Sequence, residues 1–457
     1  KIINLDNQID KQDIVALQAL EKMYTFRGET EKAIGVLQKL AEVRPARERE
    51  YYQRIAELSL KSYNDKQAVE YAQLALQKNP DDAMAHSKLG DVYAKMQQSE
   101  KAIASYRESL DLDPRNFDVY FKLAQLLVER DEFEEAYKLY LYVAKRATDE
   151  VQVLRASRRL VTLARTDDEL FLLEQELAPE VFNSASMGGA YRHVLMEIYA
   201  RLSGVAVARR NAGATLSEAD QARLKAVGTR AYPVLVDALQ SQEVGQKQRA
   251  ISMLAELDLK QAGMALARLA ADDKESLRLN AMAAVAMLGS EDAAELLVPL
   301  LEDEDISVKE SSTWALGALG SSKAIKPLQK LLERDDVGSR QKALAAISLG
   351  RVGDKKAVQP LLKTLDALKK EGIYDEQSMA VVMGLGLVGH RDGVNALGTI
   401  LTEVADDDVV STAAWSLGQV QDKSAVSALL DAYWSDDPGL RERAWRGLNW
   451  SESMDAT

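Results

Sequence analysis

Small and large apolar residues recur along the first third of the chain at a spacing that no single helix or strand produces. Over residues 83–116, AMAHSKLGDVYAKMQQSEKAIASYRESLDLDPRN, the residues Leu89, Gly90 and Tyr93 share one face of a first helix. Ala102 and Tyr106 share one face of a second, and Pro114 stops the pair. Ala102 has counterparts at Ala33, Ala68 and Ala136, at intervals of 35, 34 and 34, and Leu20, Ile55, Leu89 and Leu123 hold the matching place in the first helices. Pro45 and Pro80 match Pro114, with Thr148 standing in their place in the fourth unit. A hairpin of two short helices cannot bury its apolar face alone, so units of this kind must stack on one another. Four of them cover residues 13–148. The residues before Asp13 read as the tail of an earlier unit, and the expectation is an N-terminus trimmed from a longer array.

From about residue 150 this period is lost, while helical patterning continues through VLRASRRLVTLAR, DELFLLEQELAP and AYRHVLMEIYARL. The stretch reads as a connector rich in arginine: Arg155, Arg158, Arg159, Arg165, Arg192, Arg201, Arg209 and Arg210, against a single lysine. Gly188-Gly189 and the run NAGATLSEAD at 211–220 are loop signals, and Ser217 is a candidate helix N-cap. A second periodicity follows. ALGALGSSKAIKPLQKLLERDD from Ala315 is echoed from Ser348, Gly384 and Ser416, and the helix-ending pair falls at Leu288-Gly289, Leu319-Gly320, Val352-Gly353, Val388-Gly389 and Val420-Gln421. These spacings of 31, 33, 36 and 32 give about six helix pairs over 244–434, a degenerate pair before them and a closing helix near 438–450.

The 34-residue unit, with its small Gly and Ala at the helix crossing and its terminal proline, resembles the tetratricopeptide repeat. The second array, with STWALG at 312–317 and AAWSLG at 413–418, resembles HEAT-like repeats of the phycobilisome-lyase type. The expected fold is therefore all-α, a tandem α-solenoid: a tetratricopeptide array over 1–148, a helical connector over 149–230 and a HEAT-like array of six to seven repeats over 231–457. In tetratricopeptide arrays fixed positions of the first helices line the ligand groove. Here these are Gln18 and Lys22, Gln53 and Glu57, Ser87 and Asp91, and Phe121 and Gln125, with Phe121 as an apolar contact and Gln53, Asp91 and Gln125 as hydrogen-bonding groups. Members that clamp chaperone tails carry Asn after the repeat glycine, whereas Asp91 follows Gly90, so a chaperone-tail adaptor is not expected. Enzymatic relatives of the second array include phycobilin lyases and deoxyhypusine hydroxylase. The latter needs His-Glu pairs, which the residues following the histidines, Ser87, Val194 and Arg391, do not supply.

Charge narrows the partner class. The net charge is −13, and residues 231–457 hold most of the excess, with 24 basic against 35 acidic side chains. Such a surface repels phosphate backbones, so no nucleic acid is expected. Cysteine is absent, which removes disulfides and thiol chemistry and is compatible with the cytoplasm or a bacterial periplasm. No apolar run approaches the ~18 residues of a membrane span, and KIINLDNQID lacks the order of a signal peptide. The string Gly384-Leu385-Gly386-Leu387-Val388-Gly389 spells GxGxxG but ends a helix within an array, so close helix packing and a tight exit turn account for it. Trp314, Trp415 and Trp445 share one repeat position and read as packing between repeats. Acidic pairs and runs at Asp272-Asp273, 302–305, Asp335-Asp336, 406–408 and Asp436-Asp437 precede first helices and read as N-caps.

No nucleophile, base and orienting group come together in the sequence, and neither a metal nor another cofactor is expected. The expected function is a non-enzymatic scaffold binding protein partners or peptide segments along its solenoid surfaces, with self-association as a further expectation. The alternative is a chromophore-lyase type enzyme with a tetratricopeptide recruitment domain. Arg155, Arg158 and Arg159, with Arg165, repel one another on one helix face and need acidic company. It comes either from Asp167, Asp168, Glu169, Glu174 and Glu176 of the next helix or from an anionic partner.

Overall fold

In the computed structural model, residues 14–183, 186–272, 276–420 and 422–450 are described. The segment before Asp13 and its expected trimming lie outside them, as do Asp13, Asp273, Gln421 and Ser451. All regular structure among the described residues is helical: α1 (Ile14–Phe26), α2 (Thr30–Val43), α3 (Glu48–Lys61), α4 (Asp65–Lys78), α5 (Ala83–Lys95), α6 (Ser99–Leu112), α7 (Phe117–Glu129), α8 (Phe133–Arg146), α9 (Glu150–Leu163), α10 (Asp167–Asn183), α11 (Gly188–Asn211), α12 (Glu218–Ala238), α13 (Val244–Glu256), α14 (Gly263–Ala271), α15 (Arg278–Leu288), α16 (Ala294–Leu297), α17 (Ile306–Ala318), α18 (Ile325–Glu333), α19 (Ser339–Val352), α20 (Val358–Glu371), α21 (Glu376–Val388), α22 (Arg391–Glu403), α23 (Asp407–Gln419), α24 (Lys423–Tyr433) and α25 (Pro438–Trp450). The chain divides into two compact units, Lys1–Ile198 and Tyr199–Thr457, a division that falls within α11.

In the N-terminal unit each hairpin turn is built the same way. Gly28, Tyr63, Gln97 and Asp131, one per unit, take left-handed φ of 73°, 59°, 58° and 62°. The next backbone N–H then reaches back into the first helix: Glu29 to Tyr24, Asn64 to Ser59, Gln98 to Tyr93 and Glu132 to Leu127. This satisfies helix-end carbonyls that would otherwise be orphaned. The repeat alanines Ala33, Ala68, Ala102 and Ala136 are all fully buried. At Gly90 a Cβ would lie 2.5 Å from a ring carbon of Tyr106, so the glycine is what admits the tyrosine between α5 and α6.

Helix pairing continues one hairpin beyond the recognisable period. α9 packs on α8, and Ser157, Leu170 and Glu174, all buried, hold the places of Leu123, Ala136 and Tyr140. With Leu170 where the earlier units carry alanine, α10 packs less closely on α9 than the preceding second helices do on their first helices. The N-terminal half of α11 covers this end of the unit, where the Tyr191 hydroxyl donates to the Ala144 carbonyl at 2.6 Å.

The C-terminal unit follows α12 with six helix pairs, α13 to α24, and α25 as the closing helix. First helices exit through glycines in the left-handed region, Gly289, Gly320, Gly353 and Gly389, at φ of 61°, 65°, 70° and 65°. Successive first helices approach almost backbone to backbone. A Cβ on Gly350 would meet the Gly384 Cα at 2.6 Å, and one on Gly386 would meet the Ser416 Cβ at 2.5 Å, so the GxGxxG string serves helix crossing and helix exit. Acidic caps act where expected at Asp305, which accepts from the Ser307 N–H at 2.8 Å, and at Asp406 and Asp437. Asp336 instead pairs with Arg334 at 2.7 Å, while Arg278 reaches across its repeat to Asp303.

Candidate partner-binding face of the N-terminal unit

The first helices α1, α3, α5, α7 and α9 bring their charged positions into one line. Arg54 on α3 donates to Glu21 on α1 at 3.3 Å and to Glu57 on its own helix at 3.1 Å. Lys88 on α5 reaches back to Glu57 at 2.6 Å, and Lys122 on α7 reaches back to Asp91 at 2.7 and 2.9 Å. The Tyr106 hydroxyl completes the set by donating to Asp91 at 2.8 Å. Arg54, Lys88 and Lys122 recur at the repeat interval of 34, so each repeat sends a cation to the carboxylate of the one before it. Burial would raise the Glu57 carboxyl, but Lys88 and Arg54 outweigh that and hold it below its ordinary value. Burial, and then Asp91 beside it, push the Tyr106 phenol far above its ordinary range.

Between α3 and α5 this face opens into a cavity of about 320 Å³, lined by Gln53, Glu57, Lys61, Lys88, Asp91, Lys95 and Tyr106 among others. Three of the groove positions expected from the sequence, Gln53, Glu57 and Asp91, thus share one concavity. Gln53 donates to Asp82 at 3.3 Å, and exposed Gln125 donates to Glu129 at 3.0 Å. Gln18 is half-buried and Lys22 exposed, both on α1. Ser87 is buried, and Phe121, at 4% exposure, lies beneath the Arg155 guanidinium, whose carbon stands 4.1 Å from the ring centroid. The surface at that point is therefore guanidinium over aromatic ring.

The arginine stripe finds aromatic and imidazole neighbours. Arg165 stacks on Phe133 at 4.1 Å, and Arg158 contacts the His193 Nε2 at 2.9 Å. Glu169 accepts the backbone N–H groups of Arg165 and Thr166 at 2.6 and 3.1 Å, and Glu176 pairs with Lys145. Among the described residues, no ion pair joins Arg155, Arg158, Arg159 or Arg165 to the acidic residues of α10. Sequence reasoning passed over the ladder cations Arg54, Lys88 and Lys122. Their signal was present as a basic residue at constant spacing, which an apolar period does not select.

Models of HEAT repeats match residues 232–312, 264–347, 297–373 and 366–449. Tetratricopeptide-repeat models match 16–51 and 90–131. No curated protein matches the chain. Among solved structures, similarity is found to the complex of CpcE and CpcF of phycocyanin lyase from Nostoc sp. PCC7120, at 21% identity, 49% of this chain, 94% of that one and a TM-score of 0.32. Human deoxyhypusine hydroxylase is similar at 17% identity, 57% and 98% coverage and a TM-score of 0.25. A structure concerned with the interaction between cadherin and beta-catenin is similar at 11% identity, 90% and 97% coverage and a TM-score of 0.38. Repeat geometry and model matches agree that the chain is a tetratricopeptide-repeat array followed by a HEAT-repeat array.

Proposed function

We propose that the chain is a non-enzymatic interaction scaffold whose N-terminal unit takes an extended, acidic partner segment across its first helices. The observation that carries this reading is the disposition of charge on that face. Glu21, Glu57 and Asp91 are already engaged by Arg54, Lys88, Lys122 and Tyr106. Lys22, Lys61, Lys95, Arg155, Arg158 and Arg159 stand on the same helices without a carboxylate partner among the described residues. The face is therefore cationic on an otherwise acidic chain, and it presents the amides of Gln18, Gln53 and Gln125 for main-chain hydrogen bonds.

Charge reversal tests this reading. A fluorescent glutamate-rich peptide should bind the full chain saturably. The double variant Lys61→Glu with Lys95→Glu should weaken binding about tenfold, because each lysine contributes Coulomb attraction on a partly exposed surface. Equal binding by the variant would remove the groove from the proposal. A coloured adduct on coexpression with a tetrapyrrole supply would speak instead for the chromophore-lyase alternative.

A further inference from the structure

The C-terminal unit carries a second concavity, remote in sequence from the cationic face and different in chemistry. It is a groove of about 430 Å³ running across four successive first helices: Met287 on α15, Trp314 on α17, Arg351 on α19 and Leu387 on α21 line it. Its other lining residues are small, Ala286, Gly317, Ala318 and Gly350, and the helices cross closely there: a Cβ on Gly317 would meet the Ser348 Cα at 2.6 Å. The walls are apolar and open to solvent, with Met287 70%, Trp314 38% and Leu387 41% exposed. Packing between repeats thus leaves more than a third of Trp314 uncovered. Half-buried Ile347, Met383 and Trp415 occupy the register position of Trp314 on the neighbouring first helices and extend the apolar surface.

Among the described residues, Arg351 is the only charged side chain lining this groove. Its guanidinium carbon stands 5.5 Å from the Trp314 ring centroid, and it has no ion-pair partner among the described residues. Tryptophan, arginine and methionine are the residue types enriched at the buried centres of protein interfaces, where a few anchors supply most of the binding energy. A desolvated arginine in such a centre requires an acidic counterpart from the other side. We infer that this groove is a second protein-docking site, and that its occupant is an amphipathic helix of a partner protein carrying one acidic residue among its apolar anchors. Three interaxial steps at the close limit of ~8 Å span about 24 Å, which a helix of about 16 residues covers.

The probe is a labelled helical peptide of that length with leucines along one face and a central glutamate, titrated into the full chain by fluorescence anisotropy. A lysine version serves as control. The glutamate peptide should bind saturably and the lysine peptide at least about tenfold more weakly. Arg351→Glu should exchange that preference, and Leu387→Arg should abolish binding of both. Both substituted side chains are exposed, so helical content should stay unchanged by circular dichroism. Equal affinity for the two peptides on the wild type, or no saturable binding, overturns the inference. So does sedimentation showing a wild-type dimer that Leu387→Arg makes monomeric, because a second copy of the chain would then be the occupant.

Discussion

Gly28 and Gly35 make opposite demands on an added methyl group. Gly28 ends α1 at φ 73° with open space around its Cβ position, so the only obstacle to a side chain is the left-handed backbone, which L-residues adopt at a cost of ~1–2 kcal/mol. Gly35 lies inside α2, also with nothing within 4 Å of an added Cβ and with ordinary helical φ, so alanine gains helix propensity there. Gly28→Ala should therefore destabilise the unit by about 1 kcal/mol, and Gly35→Ala should stabilise it by about 0.5–1 kcal/mol. Urea titrations followed by far-ultraviolet circular dichroism would show midpoints moving in opposite directions. The same logic marks what the sequence could disclose. A glycine at position 28 takes the left-handed turn without strain, whereas Tyr63, Gln97 and Asp131 adopt that conformation at equivalent positions, so no single residue type marks it in the sequence.

At the scale of the helix, the apolar period disclosed the helical hairpins of the first four units, because small residues are needed where two helices cross closely. It did not disclose the hairpin of α9 and α10. There Ser157, Leu170 and Glu174 replace the residues that define the period, yet they are buried at the same places. Nor did it disclose the ladder, whose pairs join side chains 31 to 33 residues apart and depend on how one first helix lies against the next. The ladder carries a pH dependence of definite sign. Glu57 is held below its ordinary value of 4.5 in the folded chain, so its contribution is fully present above that value and is lost as the pH falls through the lowered one. Wild type should exceed Glu57→Gln in stability at pH 7, within the ~0.2–1 kcal/mol of a partly exposed pair. The difference should close on acidification below pH 4.5; a difference that persists at lower pH would assign the effect of the substitution to packing and not to charge.

For the molecule as a whole, net charge is a poor guide to what each face can hold. Residues 231–457 carry most of the −13, yet the groove at Trp314 is lined by apolar residues and a cation, Arg351. The N-terminal first helices present a cationic face within a stretch whose overall balance is mildly acidic. Composition argued against a polyanionic ligand for the C-terminal half but could not separate the faces, because segregation by face arises only when the helices stack. The two candidate surfaces should consequently respond differently to salt. Attraction between exposed charges is largely screened beyond ~8–10 Å at 0.10–0.15 M salt, whereas burial of Met287, Trp314 and Leu387 against an apolar partner is not. In one salt series on the full chain, the glutamate-rich peptide bound by the first face should weaken steeply between about 0.03 and 0.3 M sodium chloride. The amphipathic helix bound by the second should change by no more than about twofold, since one arginine contributes to it. Lys61→Glu with Lys95→Glu should flatten the first response and leave the second untouched. If both peptides lose affinity in parallel with salt, and the lysine reversals weaken both, then the two probes share the cationic face and the C-terminal groove is not an independent site.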